Sequence, residues 1–233
     1  MTATAISAPA FTIESIEFFE RDVRLRMPFR FGVVTLTEAP QAFAHVRIRL
    51  ADGTPGEGMA AELLAPKWFD KNPALSNDDN FEQLRQALQL ARAGYLGAGT
   101  PATAFGHFAR QYRPQIERGA AAGLNPLVAN YGPALVDKAV LDALGRALGQ
   151  PFHVLVARNL AGFTPGAVAE LCPDLAGYDI AAFLATLRPA AELAARHTVG
   201  LVDPITAADF GAGRERVGDG LPETLDEVVA AYG

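Results

Sequence analysis

Residues 44–50 alternate without a break: Ala44, Val46, Ile48 and Leu50 fall on one side, His45, Arg47 and Arg49 on the other. A period of two describes a strand with one face on a core and the other in water. Asp52-Gly53 follows, a pair suited to a tight reversal, and Glu57 to Leu63 can return beside the first run. The stretch Gln41 to Leu63 is therefore expected as a β-hairpin. Phe11 to Glu20 and Val23 to Leu25 mix β-branched and aromatic residues with charges and read as the opening strand of a three-stranded meander.

Each side of the hairpin carries a segment rich in aromatic and basic residues. The first, Arg24 to Thr37, loses regularity at Met27-Pro28-Phe29-Arg30-Phe31-Gly32, where proline fixes one φ angle and glycine frees another. The second, Glu62 to Lys71, contains Ala65-Pro66-Lys67-Trp68-Phe69-Asp70-Lys71 and the only tryptophan. Both are expected as loops, and paired loops of this kind commonly cover a binding site. Phe29, Phe31 and Trp68 are candidate apolar walls, and Arg26, Arg30 and Lys67 candidate contacts to a polar or anionic substrate tail. Thr35 and Glu62, on the same two segments, complete the candidate set. The plainer alternative is a loop anchor for each aromatic residue and a solvated charge for each basic one.

Helical spacing begins after Pro73. Ser76 stands three residues before Asp79, and Phe81, Leu84, Leu88 and Ala91 recur on one face, which predicts a helix from about Asp78 to Ala93. Gly94 to Pro101 closes it, and a second helix covers Ala102 to Arg118. Pro133 to Leu148 is the strongest helical pattern, with Pro133 placed in the first turn, Gly149 at the C-terminal cap and Pro151 beyond. Val136, Ala139, Val140, Ala143, Leu144 and Ala147 form its apolar face. Asp142 lies outside that face, four residues from Lys138 and Arg146, and is expected in surface ion pairing. Asp137 lies inside the apolar arc and needs a hydrogen-bond partner once buried, as a satisfied core carboxylate. Further on, Ala181 to Ala195 is a helix candidate interrupted by Pro189. His197 to Thr206 reads as a buried strand, and Leu221 to Tyr232 as a helix, together the start of a βα repeat.

Half of the 233 residues are hydrophobic, ample for a packed core. A net charge of -6 without any Lys or Arg cluster argues against nucleic acid and anionic membrane as partners. The start of the chain has no signal-peptide pattern and no stretch reaches the length of a membrane span, so a cytoplasmic location is the default. The lone Cys172 reads as a small buried hydrophobe. His45, His107, His153 and His197 show no metal-ligand spacing. Gly56 to Ala61 fits G-x-G-x-x-A, but Thr54 and Pro55 stand where a dinucleotide fold needs an unbroken strand. Gly211-Ala212-Gly213 reads as ordinary turn glycines rather than an anion nest.

RMPFRFGVV, VRIRLADGTPGEG and ALVDKAVLDALGRALGQPF together resemble the capping domain of the mandelate racemase and muconate-lactonising group of the enolase superfamily, over about residues 11 to 160. The resemblance implies an α+β fold: a three-stranded antiparallel meander followed by a helical bundle, then the start of a (β/α) barrel that this chain does not complete. The implied domains are a capping domain at 1–160, a connecting helical segment at 161–196 and a first βα unit at 197–233. It also implies a Mg2+-dependent isomerase or lyase that removes a proton α to a carboxylate, with a small carboxylic acid as substrate and a homo-oligomeric assembly. In the family a Lys-x-Lys strand and three carboxylate ligands for magnesium lie on the barrel, and no Lys-x-Lys occurs here. A barrel takes about 250 residues, whereas 37 run from His197 to Gly233. The chain is thus expected to carry the cap without catalytic or metal residues of its own, inactive by itself. The other class left open is a non-catalytic capping or binding module.

Overall fold

The computed structural model describes residues 8–32, 34–168, 173–175, 177–211 and 213–233. Cys172 and part of the Gly211–Gly213 turn lie outside them. Three antiparallel strands come first, β1 (Phe11–Phe31), β2 (Val34–Leu50) and β3 (Pro55–Leu63), ordered β1-β2-β3. Helices follow: α1 (Asn77–Gly97), α2 (Ala104–Ala121), α3 (Pro126–Leu148), the short α4 (Phe152–Ala157) and α5 (Ile180–Thr186), and α6 (Leu225–Tyr232). This is the α+β order expected, a meander and then a helical bundle.

Alternation in β2 is realised as burial. Ala44, Val46 and Ile48 are fully buried, while Arg47 pairs with Glu57 at 3.1 Å and Arg49 reaches Glu14 at 3.0 Å on the outer face. The Asp52-Gly53 reversal forms as read: Gly53 takes a φ of +88°, and Asp52 accepts from the Thr54 amide at 2.9 Å. Register sets Ile48 opposite Gly56 and Val46 opposite Gly58.

Those two glycines let α3 lie directly on β3. A Cβ at Gly58 would stand 2.1 Å from the Ala143 amide nitrogen and 2.3 Å from the Ala139 carbonyl oxygen. At Gly56 it would meet the Ala143 carbonyl at 2.7 Å. Asp142 joins the same contact, accepting from the Met59 amide at 2.9 Å while holding Arg146 at 2.9 Å. Lys138 goes to Glu62 instead. α1 packs equally close to α3, because a Cβ at Gly132 would lie 2.2 Å from the Ala87 carbonyl oxygen.

The helix caps are partly as expected. Ser76 and Asp79 form a reciprocal capping box at the start of α1, and Gly149 ends α3 with a φ of +60°. Pro133, however, is interior rather than in the first turn: α3 starts seven residues earlier, with Asn125 as cap and Pro126 in the first turn. A proline at 133 leaves the Ala129 carbonyl without its helical donor. Gln115 of α2, wholly buried, donates to that oxygen at 2.8 Å and to the Ala87 carbonyl at 3.2 Å. Asp137 is partly buried, and Tyr95 of α1 donates its hydroxyl to it at 2.7 Å. Burial pushes the Asp137 carboxyl up to about 7 against the opposing effect of that hydrogen bond.

Three expectations are corrected. Arg24 to Thr37 is not a loop but the far half of the β1–β2 ribbon, turning at Gly32. Pro28 is tolerated there because β1 is an edge strand and needs no inward N–H at every residue. The run 197–206 is irregular rather than a strand, with Leu201 71% exposed; apolar sequence alone supplies no pairing partner. The helix expected over 181–195 stops at Thr186, three residues short of Pro189, which cannot supply a helical N–H.

Two compact units result. One comprises Met1–Arg21 with Gln41–Pro189, the other Asp22–Pro40 with Ala190–Gly233. The ribbon β1–β2 contributes its near half to the first and its far half to the second.

Candidate functional site

The second unit builds a cavity of about 180 Å3 from the far half of β1 and residues 197–228. Its polar anchor is Arg26. The guanidinium makes two bonds to Asp219, one of them at 2.6 Å, and donates to the Leu221 and Pro222 carbonyls at 3.0 Å each. The Arg26 hydrogen bond holds the Asp219 carboxyl down at about 2. Glu223, buried, accepts from the Val217 and Gly218 amides at 2.8 Å each, and the Gly218 hydrogen bond leads in keeping its carboxyl below the usual range. Thr224, also buried, caps α6. The N-terminal end of that helix is tied to the 204–205 carbonyls by the Leu225 and Asp226 amides.

Apolar lining comes from Phe29, Val199, Pro204 and Val228. Phe29 sits beside Phe31, ring centroids 5.8 Å apart, and the Arg30 carbonyl accepts from the Leu201 amide at 3.0 Å. The side chains of Arg30 and Thr35 are exposed on the ribbon. Five of the eight sequence candidates, Arg26, Phe29, Arg30, Phe31 and Thr35, thus belong to this unit, and two of them line its cavity.

Glu62, Lys67 and Trp68 belong to the first unit. Glu62 ends in the ion pair with Lys138 near the close of β3. Lys67 takes a φ of +58°, unusual for a residue with a side chain. Its amide donates to the buried Asn80 at 3.1 Å, and its ammonium bonds the Asn72 carbonyl at 3.0 Å and the Leu75 carbonyl. Asn125 donates to the Phe69 carbonyl at 3.2 Å, pinning the same segment to the start of α3. Trp68 projects from this tethered turn and is 58% exposed.

Spacing alone did not point to Asp219, Glu223 or Thr224. Asp219 lies 193 residues from Arg26, and the only local signal was its place between Gly218 and Gly220. Around this cavity Arg26, Asp219 and Glu223 each have partners within the chain. Among the described residues, no group of three or more His, Cys, Asp or Glu could hold a metal ion. Nor is any helix among them long and apolar enough to cross a membrane.

Over part of its length this chain, an antiparallel meander followed by helices, is similar to solved structures described as enolases and as mandelate racemase/muconate lactonizing proteins. An enolase from alpha proteobacterium BAL199 is 17% identical, with a TM-score of 0.41. A mandelate racemase/muconate lactonizing protein from Herpetosiphon aurantiacus is 24% identical, TM-score 0.36. A dipeptide epimerase from Methylococcus capsulatus, in complex with magnesium and the dipeptide L-Arg-D-Lys, is 23% identical, TM-score 0.39. Each similarity covers 62% of this chain and 34% of the other, so the chain spans about a third of the length of the structures it matches. No family model and no curated protein matches it.

Proposed function

We propose that this chain is the capping part of a cytoplasmic enzyme of the mandelate racemase and muconate-lactonising group, one that removes a proton α to a carboxylate of a small acid. The observation that carries the reading is the β3–α3 contact. Gly56-Glu57-Gly58 and the helix ALVDKAVLDALGRAL bear the sequence resemblance, and Gly58 of the first is seated on Ala139 and Ala143 of the second. Two motifs some 80 residues apart thereby specify one joint. In this reading the implied domains at 1–160, 161–196 and 197–233 are the cap, a connector and the first βα segment of a barrel.

The described residues do not assemble a magnesium site, so the reading takes the metal ligands and the lysine base from the remainder of a homo-oligomeric enzyme and assigns this chain no proton-transfer step. Its contribution is recognition and exclusion of water. On the second unit Phe29 with Phe31 are the apolar contacts and Arg30 is an exposed cation for an anionic tail; on the first unit Trp68 is the apolar contact. Arg26, Thr35, Glu62 and Lys67 set the shape of the two segments that present them.

The test is deuterium exchange. Complete protein with magnesium is incubated in D2O with acid sugars, hydroxy acids and dipeptides, and loss of the α-proton signal is followed by NMR together with isomer or unsaturated product. Exchange is expected for one class, with Trp68→Ala raising KM several-fold and changing kcat less. A pure, folded protein that exchanges none of these acids refutes the reading. Binding of an acid without exchange selects the second reading, a binding module.

A further inference from the structure

A second cavity, of about 210 Å3, lies within the first unit among α2, α3 and the segment after α4. Its wall is almost wholly apolar. Phe105 and Phe163 meet edge to face at 4.8 Å, Phe108 stands 5.7 Å from Phe105, and Leu141 and Ala161 close the sides. The Phe105 amide donates to the Ala161 carbonyl at 2.9 Å, which fixes the entrance residues to one another. The single ionisable group on the wall is Asp137.

One oxygen of that carboxyl accepts from Tyr95; the other has no partner among the described residues. Among the described residues no cation is paired with it. α1 offers only the Tyr95 hydroxyl, whose own ionisation burial pushes well above the ordinary range. α2 and the 161–163 segment contribute phenylalanine and alanine, and Lys138, next in sequence, is engaged by Glu62. A carboxylate among aromatic rings is stabilised by a positive charge that also favours ring faces. Apolar cavities of about 150 Å3 take up a benzene-sized molecule, so this one has room for a ring and a short arm.

We propose that this cavity binds a small hydrophobic primary amine, its ammonium group on the free oxygen of Asp137 and its apolar part among Phe105, Phe108 and Phe163. The site is separate from the Arg26 cavity and does not depend on the reaction proposed above. Because the carboxyl titrates at about 7 and the amine must meet its ionised form, affinity is expected to rise about tenfold between pH 6 and pH 8.

Benzylamine is the probe, followed by calorimetry and by NMR shifts of the phenylalanine rings, with benzyl alcohol as the uncharged control. Saturable binding of benzylamine at pH 8, at least tenfold tighter than the alcohol and tenfold weaker at pH 6, is the expected result. Asp137→Asn should abolish the preference for the amine. Ala161→Leu fills the cavity while leaving Asp137 and Tyr95 in place, and should lose both ligands with its circular dichroism unchanged. Equal binding of alcohol and amine, affinity independent of pH, no binding at millimolar benzylamine, or undiminished binding by folded Ala161→Leu would each overturn the proposal. If Asp137→Asn fails to fold, the Ala161 variant and the pH series decide.

Discussion

At Gly58 a single hydrogen atom separates a packed joint from a collision. A methyl group there meets backbone atoms of α3 at 2.1 and 2.3 Å, and backbone cannot swing aside as a side chain can. Gly58→Ala is expected to destabilise the first unit by about 1–3 kcal/mol, read as a lower midpoint of urea unfolding by Trp68 fluorescence. The two glycines were visible in the sequence, and the G-x-G-x-x-A pattern they share was set aside for its broken strand; that they receive a helix was not readable, since their neighbours lie some 80 residues away. The place of Asp137 inside the apolar arc was legible from its wheel position, but its partner Tyr95, 42 residues earlier, was not. Its pH dependence follows from the sign of its shift. A carboxyl raised to about 7, against an ordinary value near 3.9 when unfolded, binds its proton more tightly in the folded state. Stability is therefore greatest below about pH 4 as far as this group goes, and falls as pH rises through 7, by roughly 2–4 kcal/mol in all. Asp137→Asn should remove that slope and be the more stable form at pH 8, measured by urea unfolding across the pH range.

Among the elements, α3 shows how a broken rule is repaired. Pro133 within the helix leaves the Ala129 carbonyl unpaired by the backbone, and Gln115 from α2 fills the gap. Gln115→Leu should cost about 2 kcal/mol or more by leaving buried carbonyls unsatisfied, whereas Gln115→Leu with Pro133→Ala should recover part of that loss, because residue 133 again has an N–H. The double-variant cycle by thermal unfolding checks the coupling. Sequence reading took Pro133 as a helix start because that is where proline most often sits, and it overlooked Asn125-Pro126, a cap and first-turn pair of the same kind. The ribbon β1–β2 was misread for a related reason. Pro28 and Gly32 carry the chemistry of a loop, and only the strand order shows that Pro28 occupies an edge. The meander, the Asp52-Gly53 reversal and the α1 capping box were legible because each is written within a few consecutive residues.

For the molecule as a whole, Asp137 and the ion-paired carboxyls of the second unit respond to acid in opposite directions over different ranges. Asp137 in the first gains stability as pH falls from 7 toward 4. Asp219 and Glu227 in the second, held at about 2 first by their hydrogen bonds to Arg26 and Arg216, contribute stability above about pH 4 and lose it as pH falls through 2. Pepsin cleavage within residues 213–224 should therefore rise between pH 4 and pH 2, and Arg26→Met should bring the same increase at higher pH; equal cleavage at all pH values would refute the assignment. Five of the eight candidate residues lie on the 24–37 segment, but the partners of Arg26 and Phe29 at 197–228 are invisible to any local pattern. That long separation has a consequence for how the protein is made. During synthesis the tip of the ribbon, complete by Pro40, emerges well before Ala190–Gly233, the other half of its unit. At translation rates of about 5–20 residues per second, those roughly 150 intervening residues correspond to about 7 to 30 seconds. For that interval Phe29 and Phe31 are carried on a nascent chain before the segment that completes their unit exists, two apolar rings still in water.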